Sequence, residues 1–181
     1  MKTILTSIVL TIAFIFSPET TTAQSFPKMD ASPMDLVIAR ADRNAPPIAR
    51  VIYSRPSKKN RVVFGELVPY GEVWRTGANE ATELTIYVPL KLGTTRLEPG
   101  NYTLYTIPGE KTWTVIISSD TNVWGAYSYK KEKDVVRITV PAKDAAATTE
   151  SLSMVFRPDS TGPTLMIGWD NTYIEIPFKT L

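Results

Sequence analysis

From Ile48 onward, apolar residues recur at every second position, and this period of two restricts the fold more than any other feature of the chain. In Glu83 to Val88, Leu84, Ile86 and Val88 share one face while Thr85 and Tyr87 share the other, as a half-buried strand requires. The same reading applies to Ile48 to Ser54, Tyr102 to Ile107, Trp113 to Ile117, Trp124 to Tyr129, Val135 to Val140, Leu152 to Phe156, Leu165 to Trp169 and Ile174 to Phe178. Turn formers separate these runs: Pro108-Gly109, Ser119 to Asn122, Lys130 to Asp134, Pro158 to Gly162 and Asp170-Asn171. A chain with about ten short strands and a turn signal every 8–12 residues or so predicts an all-β, antiparallel β-sandwich of jelly-roll-like form. Helix is confined to one turn at most, where Asp144 precedes Ala145-Ala146-Ala147. Trp113 shares a face with Val115 and Ile117, and Trp169 with Leu165 and Ile167, which places both indoles in the core. Trp124 has no alternation to place it and, with Tyr127 and Tyr129, is a candidate surface residue.

The N-terminus follows another rule. Lys2 precedes an apolar run from Ile4 to Phe16, then Ser17-Pro18 and a polar stretch ending Thr21-Thr22-Ala23, the pattern of a cleaved secretory signal. The run is too short to anchor across a hydrocarbon core of about 30 Å. Three segments are expected: a signal peptide over 1–23, an arm with one strand over 24–47, and the sandwich over 48–181. Pro46-Pro47 closes the arm. No membrane span is expected in the mature chain.

Composition excludes much chemistry. Hydrophobic residues make up 43% and charged residues 21%, a globular balance. There is no cysteine and no histidine, so disulfides, thiol nucleophiles, imidazole bases and thiolate or imidazole metal sites are all ruled out. Export without cysteine points to a periplasmic or extracellular protein of a Gram-negative bacterium. Lys plus Arg is 20 against 18 acids, and no basic run exceeds two residues, so nucleic acid is not an expected partner. No phosphate loop, dinucleotide fingerprint or Asp-rich calcium loop is present, and no cofactor is expected.

Residues 53–83 break the alternation. Tyr53, Phe64, Tyr70 and Trp74 lie here among Arg55, Arg61 and Arg75, with Asn79, Glu80 and several glycines. Long connections in compact domains are either functional or disordered, and aromatics at this density argue for an ordered one. Its guanidinium groups suit carboxylate or phosphate. Asn79 both donates and accepts, and Tyr53, Tyr70 and Trp74 offer flat faces to a sugar or aromatic ligand.

The strings Tyr53-Ser54-Arg55-Pro56, Phe64-Gly65, Val68-Pro69-Tyr70-Gly71 and Val73-Trp74-Arg75-Thr76-Gly77-Ala78-Asn79-Glu80 carry a family resemblance. So do Pro99 to Gly109, Trp113-Thr114-Val115, Trp124-Gly125-Ala126-Tyr127 and Asp134-Val135-Val136-Arg137. Across nearly all of the mature chain the sequence resembles an uncharacterised family of secreted bacterial proteins, DUF2911, departing from it around Lys58 to Arg61. The resemblance implies export and an all-β domain. It brings no established activity, so no catalytic role carries over.

Three functions follow from the residues. The first is non-catalytic binding of a small or carbohydrate-like ligand by Tyr53, Arg55, Arg61, Tyr70, Trp74, Arg75, Asn79 and Glu80. The second is hydrolysis with Glu80 as acid or base and Arg75 holding the substrate. The third is a scaffold in which Arg75 stacks on Trp74 and pairs with Glu80 merely to fix the loop, while Gly71 and Gly77 take up positive φ.

Overall fold

A computed structural model describes residues 23–181. The signal-peptide segment, apart from Ala23, lies outside the described residues. Ten strands are present: β1 (Met34–Arg40), β2 (Pro47–Ser54), β3 (Glu83–Ile86), β4 (Leu90–Leu92), β5 (Thr95–Leu97), β6 (Gly100–Ile107), β7 (Thr112–Ser118), β8 (Asp134–Pro141), β9 (Lys143–Asp159) and β10 (Gly162–Thr180). They form a six-stranded sheet in the order β1-β2-β3-β6-β7-β8 and a four-stranded sheet in the order β5-β4-β10-β9. Every pairing between strands is antiparallel. The chain is an all-β sandwich, and among the described residues the only helical piece is a 3-10 turn at Lys131–Lys133.

The period of two explains the core. Val51, Leu84, Leu104, Val115 and Ile117 of the larger sheet are fully buried, as are Leu165, Ile167, Ile174 and Ile176 of the smaller one. These side chains form one continuous cluster between the layers. The alternate residues Tyr105 and Ile116 are register partners and face away from that cluster. The segment after β7 folds over them, seating Val123, Ala126 and Tyr129 on this outer face. The Tyr129 hydroxyl donates to Asp134 (2.6 Å), and Arg137 donates to both, which ties down the far end of that segment.

Four local expectations are corrected. Trp124 to Tyr129 is not a strand: only Trp124 makes a bridge, to Glu80, and Gly125 then turns the chain at φ +70°. Lys143 and Asp144, at the start of the proposed helical turn, pair with Tyr173 and Thr172 as part of β9. Alanine's helix propensity yields there to tertiary pairing. The β4-β5 hairpin around Gly93 is additional, and it buries Leu90, Leu92 and Leu97 completely. The runs ending at Trp169 and starting at Ile174 belong to one element, β10, which reverses at Asp170 (φ +55°). Its ends therefore meet, and the Thr180 N–H donates to the Thr161 carbonyl (2.9 Å). The strand of the N-terminal arm, β1, pairs with β2 from Met34 to Arg40 and forms the edge of the larger sheet.

Candidate functional site

The block over 53–83 is rigid because its backbone and small polar side chains are engaged at close intervals. Val63 and Val68 are buried, with the Val68 N–H donating to the Val63 carbonyl (2.8 Å). Trp74 and Thr106 exchange backbone hydrogen bonds of 2.7 and 3.0 Å, which docks the block on β6. Thr76, Thr82 and Thr106 are wholly buried. The Thr76 and Thr106 hydroxyls are hydrogen-bonded at 3.0 Å, and the Thr82 hydroxyl donates to the Thr76 carbonyl (2.8 Å). This network holds Thr76 at φ +56°, an unfavourable conformation for a β-branched residue. Asn79 also sits at φ +56°. Gly77 does not take positive φ as expected. It is needed for close approach, since a Cβ there would lie 3.2 Å from the Ser54 carbonyl oxygen.

The eight residues singled out from sequence separate into distinct settings. Trp74 is only 8% exposed and lies between the sheets. Its ring is stacked on Trp169 at 6.1 Å between centroids and meets Phe64 and Trp113 edge-on, while its indole N–H donates to the Gly77 carbonyl (3.1 Å). Tyr53 is buried too, and its oxygen accepts from the Met154 N–H (2.9 Å), linking the two sheets. Burial pushes the Tyr53 phenol above its ordinary value, against the opposing pull of the Met154 N–H and the Arg55 charge. Arg55 donates to the Leu152 carbonyl (3.0 Å), Asp35 (2.9 Å) and Ser153 (2.9 Å). Arg61 closes its own turn through the Lys58 and Ser57 carbonyls. Tyr70 is exposed and lies over Gly65, where a Cβ would come within 2.9 Å of its ring. Arg75 is half-buried, with its Nε enclosed and unpartnered; Arg75 and Glu80 form no ion pair among the described residues.

Asn79 and Glu80 reach an open concavity of about 350 Å³, lined also by Asp30, Ser32, Met34, Ser54 and Trp124. The Asn79 amide donates to Asp30 Oδ1 (3.1 Å), which also accepts from the Ser32 N–H (2.7 Å). The Gly125 N–H donates to the Asn79 carbonyl (3.0 Å), and Glu80 bridges Trp124, so the aromatic wall is fixed to the loop. Trp124 is 62% exposed and Tyr127 81%, and their rings are stacked 5.6 Å apart. Ser54, only 2% exposed, lines the same concavity, and its hydroxyl has no hydrogen-bond partner among the described residues. Glu80 has none either.

Of the eight sequence candidates, then, the concavity holds two. Asp30, Ser32 and Met34 carry no sequence signal for a site, being short polar or apolar residues in an arm, whereas Ser54 lies within the Tyr53-Ser54-Arg55-Pro56 string. Trp124 and Tyr127 did carry one, in their lack of alternation. Larger concavities of about 460 and 520 Å³ are lined by β9 and β10 in one case and by β8, β9 and β10 with Gly93 in the other; in the first Ser153 is engaged by Arg55, and in the second Lys143 and Glu175 pair with each other. Among the described residues, no group of three or more acidic side chains is placed to hold a metal ion, and no helix is long and apolar enough to cross a membrane.

A family model described as protein of unknown function (DUF2911) matches residues 32–178, from just before β1 to near the end of β10. No curated protein and no solved structure matches the chain.

Proposed function

Because the chain belongs to the DUF2911 family, which is defined without an activity, we propose from its geometry that it is an exported domain that binds a small, carbohydrate-like ligand without transforming it. The observation that carries this reading is the concavity in which Asn79, Glu80 and the Ser54 hydroxyl converge beneath the exposed face of Trp124. Sugar rings present an apolar face to an aromatic plane and hydroxyls to amides and carboxylates, and this site offers both. Trp74, Tyr53, Arg55 and Arg61 serve the architecture that holds the concavity open.

Trp124 is the exposed member of the four tryptophans, the other three being buried, so its emission reports on the site alone. A panel of mono- and disaccharides is expected to shift the quenchable tryptophan fluorescence of the wild type. Trp124→Ala is expected to lose the response while keeping its melting temperature. A panel that changes neither fluorescence nor melting temperature in the wild type refutes ligand binding here.

One observation favours a second reading. Asp30 shares the concavity with Glu80, so two carboxylates face one cleft, as a hydrolase acting on a glycosidic bond requires. Glu80→Gln distinguishes the two. Turnover of an aryl glycoside by the wild type, lost in the variant with sugar binding retained, supports hydrolysis; no turnover by the wild type supports binding alone.

A further inference from the structure

We infer that the ligand of the Trp124 concavity carries a positive charge, an ammonium group as on an amino sugar; this rests on the binding reading above and specifies its chemistry. The lining contains two carboxylates, Asp30 and Glu80, and no lysine or arginine. Lys28, two residues from Asp30, is exposed and not part of the lining. Five acids elsewhere in the sandwich are matched to cations: Asp35 to Arg55, Glu98 to Arg96, Asp134 to Arg137, Asp170 to Lys58, and Glu175 to Lys143 and Arg157. Glu80 is exposed, and its carboxylate has neither an ion pair nor a hydrogen bond among the described residues, so it is open to a cation. Asp30 uses Oδ1 for Ser32 and Asn79, leaving Oδ2 unengaged.

A neutral ligand entering here would strip water from the Glu80 carboxylate and give back only hydroxyl contacts, a poor exchange for an ionised group. An ammonium replaces that water with a charge-assisted hydrogen bond. The second wall favours the same sign. The exposed Trp124 ring, backed by Tyr127 at 5.6 Å and 19° between planes, presents an electron-rich face, and a cation within about 6 Å of a ring centroid is attracted to it. The nearly enclosed Ser54 hydroxyl, free of other partners, is an acceptor for an N–H or a donor to a ring hydroxyl. Acid, aromatic face and hydroxyl together describe an ammonium-bearing ligand.

The purified protein is titrated with glucosamine, glucose, N-acetylglucosamine and choline, following the Trp124 indole N–H resonance, assigned by its loss in Trp124→Phe. Glucosamine is expected to bind at least about ten-fold tighter than glucose or N-acetylglucosamine, with choline also shifting the signal. Glu80→Gln, checked for an unchanged near-UV dichroism spectrum, is expected to abolish that preference. Rising salt is expected to weaken glucosamine but not glucose. Glucose binding as tightly as glucosamine overturns the inference while the binding site stands. Silence of the Trp124 signal to all four probes overturns the binding reading and this inference together.

Discussion

Replacing Trp74 by alanine tests whether the most conspicuous residue of the 53–83 block is a core element or a ligand face. In the structure the indole is almost wholly enclosed, contacts Phe64, Trp113 and Trp169, and donates to the Gly77 carbonyl. Truncating a buried tryptophan to alanine costs about 3–5 kcal/mol, combining lost transfer energy with the cavity left behind. The Thr76-Thr82-Thr106 network limits collapse into that cavity, which argues for the upper part of the range. For a domain of this size each kcal/mol lowers the melting temperature by about 2–4 °C, so the expected fall is about 6–20 °C. Guanidinium denaturation followed by near-UV circular dichroism measures it directly, with Trp124→Ala as the comparison. That exposed residue is expected to stay within about 0.5 kcal/mol of wild type. A Trp74→Ala midpoint shifted by less than about 1 kcal/mol would refute the placement of Trp74 in the core, and with it the claim that the block is a rigid seat for the site.

Tyr53→Phe deletes the acceptor for the enclosed Met154 N–H, and an expected loss of about 1–3 kcal/mol is measurable by the same denaturation. Arg55→Ala removes contacts to Asp35, Leu152 and Ser153. Because that ion pair is partly exposed, the expected loss is only about 1 kcal/mol and shrinks at high salt. Burial holds the Tyr53, Tyr105 and Tyr129 phenols above the ordinary value of 10.0. An acid whose folded-state value is raised stabilises the fold fully below the unfolded value and loses that contribution as pH climbs through the folded one. Stability is therefore expected to hold up to about pH 10 and fall above it, with tyrosinate absorbance from these residues appearing only as near-UV dichroism is lost. Titration of all eight tyrosines with dichroism intact would contradict it.

Much of the sandwich was legible because alternation is a property of neighbouring residues. Leu84 and Ile86, or Trp113, Val115 and Ile117, define a buried face within a few positions of one another, and the structure buries them all. The β4-β5 hairpin escaped because strands of three residues carry too few alternations to be recognised. The Ala145 to Ala147 run misled for a different reason: alanine favours helix in isolation, and only its neighbours' partners, Thr172 and Tyr173, show that it continues a strand.

The site was less legible. Trp74 and Trp124 each precede a residue that breaks alternation, yet one is enclosed by three aromatic rings and the other stands in solvent. What separates them is the backbone bridge to Thr106 in one case and to Glu80 in the other, and bridges of this kind depend on strand order and loop path. By itself the sequence determined the strand content, the two-layered core and the ordered character of the 53–83 block, since these follow from local periodicity and composition. The tertiary structure alone decided that Asp30, Ser54, Glu80 and Trp124 meet, because residues far apart in the chain converge only through the pairing of backbones, which carries no mark in the side chains it brings together.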